Sequence, residues 1–343
     1  NNIRIRFRYV AVWGDGWAID DIRIFGSKPL NASFSWTGTG VQAYYQLPAI
    51  PANEYTNQLV STIYMQPTQL QLESDAWTYE VTTNLPNGCT ASVDVVVTNN
   101  TKLWKGTNSQ DWTDPNNWSP IGVPSIDNCV VIDSQSIIDD LTTYDAYGKN
   151  LTVKPTGKLT LDSTHNLIIK EWVQVETGGT FDLENNSSLI QIDNVANNGT
   201  VTYRRNADDI IGTDYVYWSS PVVNQPLNSI YTIPTQGPKY KWNPISTNTN
   251  GGQGNWENAN GNTMETARGY IVRGSSNASM SATTITSSFT GVPNNGTIFK
   301  TVQRGTYTGG SYFGTNGITI TNGEDNWNLI GNPYPSAINA LQF

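Results

Sequence analysis

Residues 148 to 203, GKNLTVKPTGKLTLDSTHNLIIKEWVQVETGGTFDLENNSSLIQIDNVANNGTVTY, decide the fold, because here the chain copies itself. Asn150-Leu-Thr-Val153 is followed by Gly157-Lys-Leu-Thr-Leu161, and Asn166-Leu-Ile-Ile169 by Gly179-Thr-Phe-Asp-Leu183 after an insert carrying Trp172. Ser188-Leu-Ile-Gln-Ile192 is then followed by Gly199-Thr-Val-Thr-Tyr203. Each unit reads as a strand of alternating apolar residues, a glycine turn and a second alternating strand. Gly157, Gly179 and Gly199 recur at intervals of 22 and 20 residues. That interval matches one coil of a β-solenoid, in which no coil buries its inward residues until a neighbour stacks on it.

The alternation points Leu151, Val153, Leu159 and Leu161 inward, with Leu167, Ile169, Phe181 and Leu183 layered on them, then Leu189, Val201 and Tyr203. Antiparallel hairpins would give the same alternation and the same glycine turns. We favour a short parallel β-helix of three or four rungs, whose work would be mechanical spacing.

At 343 residues the chain predicts two to four domains. Charged residues make up 14% of it, where about a quarter is usual, while aromatic residues reach 11%. Asn, Thr, Gly, Trp and Tyr favour strands and turns, and no amphipathic helical run exceeds about two turns, so the predicted class is all-β. A net charge of −9 with 19 scattered Lys and Arg argues against a nucleic-acid partner. No apolar stretch reaches about 18 residues, so no membrane span is expected. A weakly charged, polar, aromatic-rich surface predicts an extracellular protein. Asn1 opens straight into an alternating run, Ile3-Arg-Ile5-Arg-Phe7, which reads as a piece of a longer polypeptide. Cys89 and Cys129 lack metal-binding spacing; a disulfide between them and two isolated buried thiols are both open.

Outward from the repeat, residues 1–26 read as the closing strands of a truncated jelly-roll domain, ending in Trp17-Ala-Ile-Asp20-Asp21-Ile. This ending is similar to that of jelly-roll modules on secreted bacterial peptidases and adhesins. The resemblance implies a structural Ca²⁺ held in part by Asp20 or Asp21; such a hard cation needs about six to eight oxygen ligands. Residues 29–100 carry regularly spaced strand signals at Phe34-Ser-Trp36, Tyr44-Tyr45, Thr62-Ile-Tyr64, Trp77-Thr-Tyr79-Glu-Val81 and Ala91-Ser-Val-Asp-Val-Val-Val97. They predict a β-sandwich. Its last hairpin resembles that of bacterial Ig-like and PKD-like repeats, which act mostly as spacers.

Residues 102–205 comprise a Trp-rich lead-in and the β-helix. The lead-in runs Trp104-Lys-Gly, Asp111-Trp112, Asn117-Trp118, Val123-Pro-Ser and Asn128-Cys-Val-Val-Ile132. Residues 206–343 then carry Tyr217-Trp-Ser-Ser-Pro221, Arg268-Gly-Tyr-Ile-Val-Arg273 and Trp327-Asn-Leu-Ile-Gly-Asn-Pro-Tyr-Pro-Ser336. In this order, from about residue 75 to 343, the series resembles the large exported surface proteins of Bacteroidota that leave the cell by the type IX secretion system. The resemblance implies a second β-sandwich of jelly-roll type over 206–343, export by the type IX machinery, and a place on the outer cell surface. The C-terminal sorting domain of that family is not in this sequence.

Two readings of Trp104, Trp112 and Trp118 compete: a platform on which surface glycans stack, or a cap over the open end of the solenoid. Position favours the cap. Asp162-Ser163-Thr164 resembles the acceptor that Bacteroidota use for O-glycans, which implies Ser163 as a modification site; an Asx-turn explains the same residues.

Groups for catalysis are few. His165 is the sole histidine and reads as a solvated turn residue, so neither a triad nor a zinc site is expected. Asp139-Asp140 and Asp208-Asp209 are sequence neighbours, which on a strand face opposite ways and make poor acid pairs. No catalytic residue is therefore predicted. The expected function is a non-catalytic structural and adhesive region of a secreted surface protein. The alternative is a glycan-binding accessory region of a secreted peptidase or glycosidase.

Overall fold

The computed structural model describes residues 8–9, 17–25, 33–39, 58–65, 68–85, 88–138, 145–231, 237–247, 253–274, 281–305, 310–313, 319–320 and 327–341. It is all-β apart from single helical turns, and it divides into two compact units, Asn1–Asn100 and Thr101–Phe343.

In the first unit β1 (Arg8–Tyr9), β2 (Trp17–Phe25) and β4 (Gln58–Met65) make one antiparallel sheet. The other sheet is β3 (Ser33–Thr37), β5 (Ala76–Asn84) and β6 (Thr90–Thr98). Trp36, Tyr79, Val81 and Val95 form the core of this second sheet, with Trp77 packed against them. The β5–β6 hairpin lies where the Trp77 and Val93 alternation placed it. The expected boundary between 26 and 29 does not separate sheets, however, because β2 takes β4, from the segment assigned to the Ig-like domain, as its partner. A strand with an open edge pairs with whatever complementary strand the chain supplies, and a two-stranded sheet on its own is marginal. The strand expected at Tyr44-Tyr45 lies outside the described residues.

The second unit begins with β7 (Thr101–Trp104) and β8 (Trp118–Ser119), which flank a loop ending in a short helical turn. Three coils follow. The first is β9 (Cys129–Ile132), β10 (Gln135–Ile138) and β11 (Asp145–Gly148). The second is β12 (Asn150–Val153), β13 (Lys158–Leu161) and β14 (Asn166–Ile169). The third is β15 (Val173–Val175), β16 (Thr180–Leu183) and β17 (Ser188–Gln191). All pairings between coils are parallel and in step: β9-β12-β15, β10-β13-β16 and β11-β14-β17. The segment is a β-solenoid, and hairpins are excluded.

Each coil has three strands where the sequence suggested two. Leu151 stacks on Val130 and Val173, whereas Leu167 stacks on Ala146 and Leu189 along a different face. The three-residue β15 is the strand hidden in the apparent insert after Trp172, and β9 to β11 belong to the solenoid rather than to its lead-in. All the residues expected inward are buried, Leu151, Val153, Leu159, Leu161, Leu167 and Ile169 completely so. The recurrent glycines answer to stacking as well as to turning. A Cβ on Gly157 would lie 2.3 Å from the Ile132 carbonyl oxygen of the coil before, and one on Gly199 1.9 Å from that of Val175.

β18 (Val201–Ile210) pairs in parallel with β16 at Thr202 and Tyr203, then runs on past the last coil. The remaining strands are β19 (Tyr215–Trp218), β20 (Lys239–Thr247), β21 (Gln253–Asn258), β22 (Tyr270–Arg273), β23 (Thr283–Gly291), β24 (Tyr312–Phe313) and β25 (Thr319–Ile320). β23 lies antiparallel along the whole of β18 and so closes that face of the solenoid. The others form an antiparallel sheet ordered β19-β22-β20-β21 and a small β24-β25 pair. The sheet faces the β18–β23 ladder through Trp218, whose ring is 5.7 Å from that of Phe289, a sandwich-like pairing of layers. One hydrophobic cluster runs from Trp104 through the coils to Tyr270 and Val272. Residues 102–205 and 206–343 therefore share a core, and the boundary expected at 205 falls inside β18.

Candidate functional site

Both ends of the solenoid are closed, and the closing elements leave a gap at one of them. At the first end Trp104, Trp112 and Trp118 are buried, with at most 1% of their surface exposed. Trp118 meets Trp104 and Trp112 edge to face at 4.9 and 4.6 Å. The Trp104 Nε1–H donates to Gln135 O, and the Trp118 Nε1–H to Trp112 O. Asn117, wholly buried, holds the loop by accepting from the amides of Asn108 and Ser109 and donating to Ser109 Oγ and Asp111 O. Of the two readings of these tryptophans, burial rules out the glycan platform and leaves the cap that position favours, since their ring faces are covered. Lys102, in step with Val130 and Leu151, ends that inward column by donating from Nζ to the carbonyls of Pro120 and Ile121.

At the other end the main chain of Asn198 and of Thr202-Tyr203 continues two of the three ladders, and side-chain amides complete the edge. Asn197 accepts from the Val173 amide, exchanges hydrogen bonds with the Gln191 side chain, and donates to Pro293 O. The Asn332-Pro-Tyr-Pro-Ser turn folds onto β17, where the Leu189 amide donates to Pro335 O. Tyr334 OH donates to Gly296 O, and Asn294 Nδ2 to Pro333 O.

Between the last coil, β18, the edge strand β19 and that terminal turn lies a cleft of about 540 Å³. Its walls include Tyr203, Tyr217, Trp218 and Tyr334, with Asn186 and Arg205 among the polar groups. None of its described lining residues is Asp, Glu, His or Cys. The Arg205 guanidinium sits 5.7 Å from the centre of the Tyr203 ring. Its hydrogen bonds go to neutral groups, Asn186 Oδ1 at 3.2 Å and Tyr203 OH at 3.4 Å. Arg204, one residue earlier and on the opposite face, pairs instead with Asp182 and Glu184. Burial pushes the Tyr203 hydroxyl above the ordinary phenol range, against the nearby Arg205 charge.

The chain matches the family model described as "Domain of unknown function (DUF8693)" over residues 103–343. The chain belongs to the DUF8693 family. No curated protein and no solved structure matches it. The DUF8693 match covers nearly all of the second unit, Thr101–Phe343, and so spans the cap, the coils and the cleft together.

The remaining sequence-derived residues fall in both units of the chain and none of those described lines the cleft. Ser163 is exposed in the turn between β13 and β14, where its amide donates to Asp162 Oδ1. His165, in the same turn, is buried rather than solvated, with Nδ1 2.9 Å from Ser163 O and its own carbonyl accepting from the Ser188 amide of the next coil. Asp208 and Asp209 are exposed at the β18 bulge, and Asp139-Asp140 lie outside the described residues. Asp20 and Asp21 fall at the register shift between Ile19 and Ile22, and their side chains lie outside the described residues. Among the described residues no group of three or more His, Cys, Asp or Glu could hold a metal. Cys89 is exposed, Cys129 is half-buried with its thiol pushed up by burial, and no disulfide joins them. No helix among the described residues is long and apolar enough to cross a membrane.

Sequence reasoning passed over Arg205 and Tyr217. The available signal was the alternation Tyr215-Val-Tyr217-Trp, which puts two tyrosines on the outer face of a strand whose inner face carries Trp218.

Proposed function

We propose that the chain is a non-catalytic structural and adhesive region of a cell-surface protein, delivered by a type IX secretion system and displayed on the outer surface. The observation that carries this reading is the single core running from the tryptophan cap through three coils into the β19–β22 sheet. A core without a break transmits load without a hinge, as a surface spacer must, while the cleft offers a place to grip. The motif series from Trp104 to Ser336 supports the export route, and an exposed Ser163 suits an O-glycan acceptor. A structural Ca²⁺ at Asp20 or Asp21 belongs to the same reading.

The test is surface labelling of the epitope-tagged full-length protein in its host, with and without the type IX translocon. Labelling that vanishes without the translocon is expected. Labelling that persists, or a protein held inside the wild-type cell, contradicts the export route. The cleft also favours a second reading, a glycan-binding accessory region of a secreted hydrolase. Peptidase or glycosidase activity of the full-length protein separates that reading from the first.

A further inference from the structure

The cleft does not stand alone. Tyr217 lines it and also belongs to the outer face of the β19-β22-β20-β21 sheet. In register, Tyr217 and Tyr240 flank Ile271 on that face. Two residues along β19, Tyr215 lies opposite Arg273 and 6.3 Å from the Tyr240 ring. Two residues along β20, Trp242 is paired with Trp256 at 5.2 Å, edge to face. Aromatic side chains thus recur across the sheet from the cleft to its far edge, with Ile271 of β22 between Tyr217 and Tyr240, which puts those two strands about 10 Å apart. Tyr217 is 66% exposed, Tyr215 43% and Trp256 37%.

Two cations border this track. Arg205 has only neutral partners among the described residues, and Arg273 Nε is buried without a hydrogen-bond partner there. In a chain of net charge −9, a guanidinium such as that of Arg205, beside an amide, a hydroxyl and an aromatic ring and with no carboxylate partner among the described residues, favours an anion. The planar fork matches a carboxylate, the amides and hydroxyls match sugar hydroxyls, and the exposed aromatic side chains match the apolar faces of sugars.

We propose that the cleft and the aromatic face beside it bind a carboxylate-bearing oligosaccharide, a chain of uronic acids or one ending in a sialic acid. Arg205 holds the carboxylate, Tyr217 carries the sugar ring in the cleft, and Tyr240 with the Trp242–Trp256 pair carries the chain onward. An extended peptide added to the open edge of β19 would use main-chain groups and leave the aromatic track across the sheet idle, so the saccharide is the better match. The proposal rests on the adhesive part of the proposed function and names its ligand.

The test is calorimetric titration of the purified full chain with tetragalacturonate, its methyl ester, 3′-sialyllactose, lactose and hexaglutamate. At least one acidic sugar is expected to bind about tenfold or more tightly than its neutral counterpart, as a charge-assisted pair requires. Arg205→Gln should remove that preference, Arg205→Lys should retain part of it, and Tyr217→Ala should weaken charged and neutral sugars alike. Tyr217 and Arg205 lie outside the buried core, and unchanged thermal melting will confirm that the variants fold. Binding of neither acidic sugar, equal binding of charged and neutral sugars, binding of hexaglutamate in their place, or an Arg205→Gln variant that binds as before overturns the proposal. Because the assay uses purified protein, its failure leaves the export route intact, and failed surface labelling leaves the binding result intact.

Discussion

Gly199 passes so close beneath Val175 that a Cβ on it would sit 1.9 Å from the Val175 carbonyl oxygen, and its φ of +83° belongs to the left-handed region. Both constraints come from one coil settling on the last. Gly261 shares the conformation, φ +81°, but has nothing within 4 Å of the same position. Gly261→Ala should cost about 1 kcal/mol, the conformational term alone. Gly199→Ala should cost about 1–3 kcal/mol more, because the coil must shift to admit the methyl group. Denaturant melts of the two variants check this, and equal losses would mean that coil contact does not select the glycine.

Trp118 sits between Trp104 and Trp112 and donates to Trp112 O, so its removal opens the cap. Trp118→Ala is expected to destabilise the second unit by about 3–5 kcal/mol. Hydrogen exchange should show the first protection losses at β7 and β9. An unchanged melt would return these tryptophans to the surface.

The Asn197–Gln191 amide pair replaces ladder bonds that a fourth coil would have made. Asn197→Ala leaves the Val173 amide without its acceptor and should cost about 1–3 kcal/mol. Gln191→Ala alone should cost less, and the double variant less than the sum of the two, since both remove the same contacts. A double-mutant cycle measures that coupling, and strict additivity would contradict the pairing.

Burial raises the hydroxyls of Tyr203, Tyr231 and Tyr270 above the ordinary phenol value of about 10. In the unfolded chain these phenols lose their protons near pH 10, while the folded chain retains them. The folded state therefore binds more protons in that window. Their contribution to stability is complete below pH 10 and is lost as pH rises from 10 through the raised values. Absorbance at 295 nm should show a late tyrosine fraction that ionises together with unfolding. Ionisation of all tyrosines in one reversible step before unfolding would refute the burial.

The solenoid was legible because its inward ladder is written at period two. Leu159, Phe181 and Val201 stack at one level, and each is flanked by polar neighbours and preceded by a glycine. The number of strands per coil was not legible. Val173-Gln-Val175 is too short to announce itself, and the offset of 16 from Asn150 to Asn166 resembled a repeat although Asn166 is in register with Asp145 and Ser188. The tryptophan cap could be argued from position, since an apolar end needs cover. The cleft could not, because Asn186, Arg205, Tyr217 and Tyr334 come from four separate segments that only the closure of the last coil brings together. Pairing of β2 with β4 was hidden for the same reason: strand partners far apart in sequence leave no local trace.

Spin labels on Thr152 and Gln174 decide whether the coil has three strands built in register. These outward residues lie directly opposite one another on adjacent coils. With the strands about 4.8 Å apart, the Thr152→Cys/Gln174→Cys pair should show strong dipolar broadening. A Thr152→Cys/Ile168→Cys pair, spanning two different faces, should show much less. Broadening at 152/168 with none at 152/174 would restore a two-strand coil and exclude the three-strand register.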